Sequence, residues 1–387
     1  MKSNYRYIVK AFMAMAVIAG TTSCDDFLDR EPMSSISPET YYSTAAQLEA
    51  NLNDEYPNVL PSFGQWTYGI FGEDKGTDNQ IEVNANDRYT QDRWKVPHSE
   101  SDNWKFERIY RINFFLSEAL PKFGEDMSGS QNTISGSVAT IKHYIGEMYF
   151  LRAYDFPIIN QPLADEMEAL REASKRFPRN EVARFIISDL DKAYAYMSDV
   201  DMATTRINKD VAMLVKSRVA LFEATWLQNF KGTAFVPGGE GWPGASLHNN
   251  YQYPSGNIDN EVKYFLEQAV EASKLVADKY KGSLTENTGV LQQSADDPSN
   301  PYFDMFAQED LSDVKEVLLW RQYARGLSTH NINAAAGRGN YRIGLTRGFV
   351  QNFLMKDGTP VYAHGSYADG DGYYMGDKTV ADVRVNR

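Results

Sequence analysis

Gly146-Glu147-Met148-Tyr149-Phe150-Leu151-Arg152-Ala153-Tyr154 is the stretch on which the reading of this chain turns. It reads as a helix, and three other distinctive blocks stand in order around it. Trp104-Lys105-Phe106-Glu107-Arg108-Ile109-Tyr110-Arg111-Ile112-Asn113 precedes it. Arg206-Ile207-Asn208-Lys209-Asp210-Val211-Ala212 opens a helix running to Phe230, and Gly348 to Gly358, ending Met355-Lys356-Asp357-Gly358, follows. Outward from these blocks the apolar positions recur at three and four residues, the helical spacing. Ser37 is an N-cap candidate with Pro38 at N1, and Tyr41, Leu48, Leu52 and Tyr56 form a stripe that Pro57 and Pro61 are expected to end. Ile109, Ile112, Leu116 and Leu120 repeat in the same way up to Pro121. Val182, Phe185, Ile186, Leu190, Ala193 and Met197 form another stripe with Asn180 as its cap, and Val262 to Tyr280 a further one closed by Gly282. About six amphipathic helices in antiparallel succession predict a mostly helical fold of stacked helix pairs. No 34-residue period is visible.

The chain has 387 residues and is acidic, with 52 Asp+Glu against 39 Lys+Arg and a formal charge of −13. With 42% hydrophobic residues it can bury a substantial core, which excludes disorder and collagen-like repetition. Acidic proteins repel phosphate backbones and no long basic run compensates here, so nucleic acid is not an expected partner. Aromatic residues are abundant, with 24 Tyr, 20 Phe and 6 Trp, and tyrosine favours half-exposed contact surfaces.

The one cysteine, Cys24, follows a targeting signature. Lys2, Arg6 and Lys10 make a positive n-region. The apolar run from Ala11 to Ala19 has the length of a signal-peptide h-region, well short of the roughly 20 residues that span a bilayer. Gly20-Thr21-Thr22-Ser23 then leads into Cys24, which resembles the lipobox of bacterial lipoproteins, although Thr21 stands where Leu is usual. The expectation is a signal peptide over 1–23, lipidation at Cys24, a tether over 24–36 and one helical domain over 37–387. Two or three acyl chains, at about 0.8 kcal/mol per buried CH₂, make a stable anchor.

Cys24-Asp25-Asp26-Phe27-Leu28-Asp29-Arg30-Glu31-Pro32, then Ser37-Pro38 and the helix to Tyr56, resembles the opening of the SusD/RagB family, and the four ordered blocks resemble that family's later motifs. Gly146 to Tyr154 is similar to its most recognisable helix, G-E-A-x-x-L-R-A-x. The resemblance implies a SusD-like fold of about four tetratricopeptide-type helix pairs, with long aromatic-rich loops and a few short strands. It further implies an outer-membrane, surface-exposed, lipid-anchored protein of Bacteroidetes, without a cofactor. Such a protein binds glycans or other nutrients and delivers them to a SusC-like TonB-dependent transporter. Two departures stand out. Tyr154-Asp155 runs straight into Phe156-Pro157-Ile158-Ile159 where relatives carry about eight more residues, two helical turns. Relatives also continue past the point where Val385-Asn386-Arg387 closes this sequence, so the resemblance implies a chain shortened at its C-terminus.

Long loops on a helical scaffold are where binding surfaces sit. Residues 57 to 100 carry Phe63, Trp66, Tyr68, Phe71, Tyr89 and Trp94, and residues 231 to 258 carry Phe235, Trp242, Tyr251 and Tyr253. Flat aromatic faces suit the C–H face of a sugar ring, and planar polar side chains suit its hydroxyls. The candidate ligand-binding residues are therefore Trp66, Trp94 and Trp242 as platforms, with Asp74, Asp78, Arg88 and Asn103 as hydrogen-bonding neighbours. Trp104 is assigned to the core and Trp320, after Val317-Leu318-Leu319, to a strand.

Catalytic patterns do not emerge. The five histidines are scattered, and neither H-E-x-x-H nor a nucleophile elbow nor a phosphate-binding loop is present. Asp369-Gly370-Asp371-Gly372 fails as a calcium loop, because Tyr374 stands where Gly is required and Val380 where Glu is. Asp165-Glu166 reads as a solvated helix start. Arg321, Arg325, Arg338, Arg342 and Arg347 form a basic segment read as a solvated or interface surface. The expected function is binding without chemistry. A lipid-anchored glycoside hydrolase and a helical-repeat scaffold or peptide-binding protein are the alternatives.

Overall fold

The structure, a computed structural model, describes residues 41–61, 63, 74–81, 106–124, 126–154, 166–173, 175–197, 202–290, 294, 296–324, 329, 344–354 and 358–360. The chain divides into two units. One comprises Met1–Leu60, Lys105–Tyr302 and Ser312–Trp320; the other comprises Pro61–Trp104, Phe303–Leu311 and Arg321–Arg387.

The first unit is helical: α1 Ala45–Val59, α2 Phe106–Phe123, α3 Val138–Tyr154, α4 Met167–Ala173, α5 Arg179–Tyr196, α6 Lys209–Asn229 and α7 Ile258–Tyr280. Helices α1 and α2 pack on α3, α3 packs on α5, α5 on α6 and α6 on α7, the serial arrangement expected of stacked helix pairs. The main core runs from Leu48 and Leu52 of α1 through Ile112 and Phe115 of α2 to Ile145, Met148 and Leu151 of α3 and Leu190 of α5. A smaller core joins Ala183 and Ile187 of α5 to Ala220, Ala224 and Leu227 of α6 and Phe265 of α7.

The charged and small residues of the sequence blocks meet in this core. Glu147 is fully buried; it accepts from the Tyr56 hydroxyl at 2.6 Å and from Arg206 Nε and Nη2 at 3.0 and 2.8 Å, and His143 Nε2 lies 3.1 Å away. Burial opposes the charge on Arg206, but the hydrogen bonds and charge of Glu147 outweigh it and hold the guanidinium above its ordinary pKa. Arg152 donates from Nε and Nη2 to the two oxygens of buried Asp189 at 2.6 and 2.8 Å and from Nη1 to Asn113 at 3.1 Å. Gly146 faces α5 so closely that a Cβ would stand 2.8 Å from the Met197 nitrogen and 2.9 Å from the Ala193 oxygen. Glu147 and Arg152 of one block are thus joined to Arg206 and Asn113 of two others.

Helix ends differ from several sequence expectations. The described start of α1 is set by Thr44, whose hydroxyl accepts from the Gln47 backbone while Gln47 accepts from the Thr44 backbone, a capping box; Ser37 and Pro38 lie outside the described residues. Pro57 and Pro121 do not end their helices. Each falls in the last turn, where it forfeits its own hydrogen bond and crowds the carbonyl four residues back, yet the chain coils on to Val59 and Phe123. Gly124, at φ +104°, then closes α2 by donating to Leu120. Asn180 is not the cap of α5. It lies inside the first turn, fully buried, with its amide turned to Tyr251 and Glu261. Asn257 caps α7 one turn before Val262, and Lys281 closes it without a left-handed Gly282. Trp320 is not in a strand: its indole N–H donates to Thr204 Oγ1 at 2.8 Å, and its backbone N–H donates to the Thr204 carbonyl.

In the second unit Gln80–Ile81, β1, pairs antiparallel with Gly344–Leu345, β2, with Gln80 opposite Leu345. Thr346 caps α8, Arg347–Gln351, which opens the fourth block. Among the described residues these are the short strands the resemblance implied.

Candidate ligand-binding surface

The segment between α6 and α7 is a chain of turns fastened to the helices by polar side chains. Tyr251 exchanges hydrogen bonds with Asn180 at 2.8 and 3.0 Å, Ser255 accepts from Arg184 at 2.6 Å, and His248 Nε2 lies 2.8 Å from the Arg176 carbonyl. Burial raises the Tyr251 hydroxyl well above its ordinary pKa and pushes that of Tyr253 up to about 12. Both therefore stay protonated donors at neutral pH, and Tyr253 donates to the Pro237 carbonyl at 2.6 Å.

Trp242 sits at the head of a short 3₁₀ turn, Pro243–Ser246. Its ring lies against the Gly244 backbone, where a Cβ would come within 2.3 Å of it. His248 stacks on it at 6.0 Å between centroids, and Tyr251 tilts against it at 5.6 Å. The ring is half-exposed and held in place by these neighbours.

Of a second aromatic set, the sequence reading singled out only Phe235. Trp226 touches Phe230 at 4.4 Å and lies 6.0 Å from Phe222 and 6.4 Å from Phe235, the last two largely exposed. Arg179 covers Trp226 at 4.2 Å while paired with buried Glu223 at 2.7 Å. Its neighbour in design is Arg184, 3.7 Å over Tyr264 and paired with Glu261 at 2.7 Å. The signal was available: Glu223 and Glu261 interrupt otherwise apolar helix faces, and each buried acid calls for a basic partner.

Asp74 and Asp78 share one exposed turn of the second unit, in which Thr77 donates to the Asp74 carbonyl and the Thr346 hydroxyl donates to the Asp78 carbonyl. Arg321 lies 5.8 Å over Tyr323 in that unit. Cys24, Trp66, Arg88, Trp94, Asn103, Trp104, Arg325, Arg338, Arg342, the 369–372 loop and the junction after Tyr154 lie outside the described residues. Among the described residues no three His, Cys, Asp or Glu side chains gather as a metal site requires.

No family model matches the chain. A curated protein, SusD-like protein P25 of Formosa agariphila, is 24% identical over 233 residues, which are 53% of this chain and 41% of P25. A crystal structure described as a SusD-like carbohydrate binding protein from Bacteroides fragilis aligns with a TM-score of 0.50 at 14% identity, covering 85% of this chain and 57% of that one. The chain therefore spans less than two thirds of the length of either, and at this identity the structural likeness is one of fold. The fold is SusD-like and mostly helical, and the two likenesses, with three of the four sequence blocks joined in one core, support membership of the SusD/RagB family.

Proposed function

We propose that this protein is a glycan-binding lipoprotein of the cell surface. In this reading Cys24 anchors it to the outer membrane, and it hands oligosaccharide, unaltered, to a SusC-like TonB-dependent transporter. The observation that carries the reading is Trp242, half-exposed and locked by Gly244, His248 and Tyr251 on the segment between α6 and α7. The likeness to SusD-like proteins supports it. Trp66 and Trp94 are proposed as further platforms, with Asp74, Asp78, Arg88 and Asn103 as hydrogen-bonding neighbours. Stacking at roughly 1 kcal/mol per ring, set against the entropy of association, gives an affinity on the order of micromolar to millimolar.

Affinity electrophoresis of the chain from Asp25 onward against a polysaccharide panel tests the reading. Retardation by at least one polymer, reduced in Trp242→Ala, Trp66→Ala or Trp94→Ala, is the expected result. A folded sample that no polymer retards overturns it in favour of a peptide ligand or a scaffold role, and release of sugar products overturns it in favour of a hydrolase.

A further inference from the structure

An open groove of about 350 Å³ runs between α5 and α7, at the small end of ligand-binding pockets. One face of α5 supplies Arg184, Ser188, Asp191 and Lys192, spaced four, three and one residue apart, while α7 supplies Tyr264. Ile187, nearly fully buried, contributes the apolar floor.

The bonding capacity left over in this groove is specific. Among the described residues Arg184 directs Nε to Glu261 and Nη2 to Ser255 and Glu261, which leaves Nη1 for a ligand. Asp191 holds Lys216 through Oδ1 at 2.7 Å, and the Ser188 and Tyr264 hydroxyls can both donate and accept. Donors and acceptors interleaved over an apolar floor fit a polyhydroxylated ring. Arg184 and Lys192 are eight residues apart, about 12 Å along the helix, so the site favours an oligosaccharide over a single ring.

Charge narrows the class further. Arg184 is balanced by Glu261, and Lys216 by Asp191. Lys192 pairs with Asp189 at 3.6 Å but shares that carboxylate with Arg152, so the two cations carry one more charge than the acid between them. The Lys192 side chain is 45% exposed, and its ammonium also lies 5.4 Å over Tyr149, which with Asp189 positions it.

We propose that this groove binds a uronic-acid oligosaccharide, with one carboxylate on Lys192 and ring hydroxyls on Arg184, Ser188 and Asp191. The inference rests on the glycan reading above and names its substrate class. The test is calorimetric titration of the full chain with tetragalacturonate, its methyl ester, and alginate and hyaluronan tetrasaccharides. At least one acidic oligosaccharide is expected to bind. Lys192→Gln is expected to weaken it roughly fivefold, the loss of one half-exposed ion pair. Raised salt should act in the same direction, esterification should do so for the galacturonate pair, and Ser188→Trp should fill the groove and abolish binding. If none of the acidic probes binds, or if binding is unmoved by both Lys192→Gln and Ser188→Trp, the inference fails. Retention of a neutral polysaccharide in the same samples, sensitive to the tryptophan variants, would show that the broader glycan reading survives that failure; loss of all glycan binding would sink both.

Discussion

Arg152 and Asp189 illustrate what single residues contribute here. Two charges this deeply buried repay their desolvation only through good geometry, and removing one partner strands the other. Arg152→Met is therefore expected to destabilise the protein by about 3 kcal/mol, and Arg152→Met with Asp189→Leu by distinctly less. Urea unfolding of both variants checks this, and an equal loss in the two would contradict it. The two buried glutamates of the outer helices pull in opposite directions with pH. Burial works against ionised Glu261, yet hydrogen bonds from Arg184, Asn180 and Ser255 outweigh it and leave the carboxyl below the ordinary 4.5. Its contribution is fully present above that value and is lost as pH falls through the lowered pKa. At Glu223 burial outweighs Arg179 and the pKa is raised, so the ionised form carries a penalty that protonation relieves. Glu261→Gln should accordingly lower the urea midpoint at pH 7 and flatten the acid-side loss of stability, whereas Glu223→Gln should cost less at pH 7. An acid limb unchanged in Glu261→Gln would be the contrary result.

At the scale of elements, the helices were legible because apolar periodicity reports burial, while their ends were not, because ends depend on partners. Pro57 and Pro121 look like stops in sequence, but a proline in the last turn leaves only two residues of helix beyond it to disturb. Asn180 has the residue type of a cap and became a buried hydrogen-bonding centre, since Tyr251, 71 residues away, supplies its partner. The Gly146 helix carries a different lesson: its small and charged residues are fixed by contacts with α1, α2, α5 and the approach to α6. Gly146→Ala should destabilise by about 3 kcal/mol, because the added methyl meets the backbone of Met197 and Ala193. Gly282→Ala, with nothing within 4 Å, should be near neutral. Asn208 caps α6 by accepting from Val211 and donates to the Leu318 carbonyl, so Asn208→Ala should cost about 1 kcal/mol or somewhat more. Thermal unfolding of the three variants orders them: Gly146→Ala worst, Gly282→Ala closest to the parent, and any other order speaks against these contacts.

For the whole molecule, the helical unit acts as a scaffold whose cores are closed by α1, α2, α3, α5, α6 and α7, and the aromatic segment between α6 and α7 is fastened to it by Asn180, Arg184 and Glu261. That Trp242 stays half-exposed was legible from its loop and its type. The Trp226 and Tyr264 surroundings were not, because ring-stacked arginines reveal themselves only when α5 is set against α6 and α7. The central claim, capture of glycan without chemistry, is tested most directly by mixing the full chain with immobilised polysaccharides and then measuring both retained protein and soluble sugar. The account predicts retention on at least one polymer, weakened in Trp242→Ala, with polymer length unchanged after prolonged contact. Retention accompanied by soluble oligosaccharide, or a folded protein that every polymer lets pass, would contradict it.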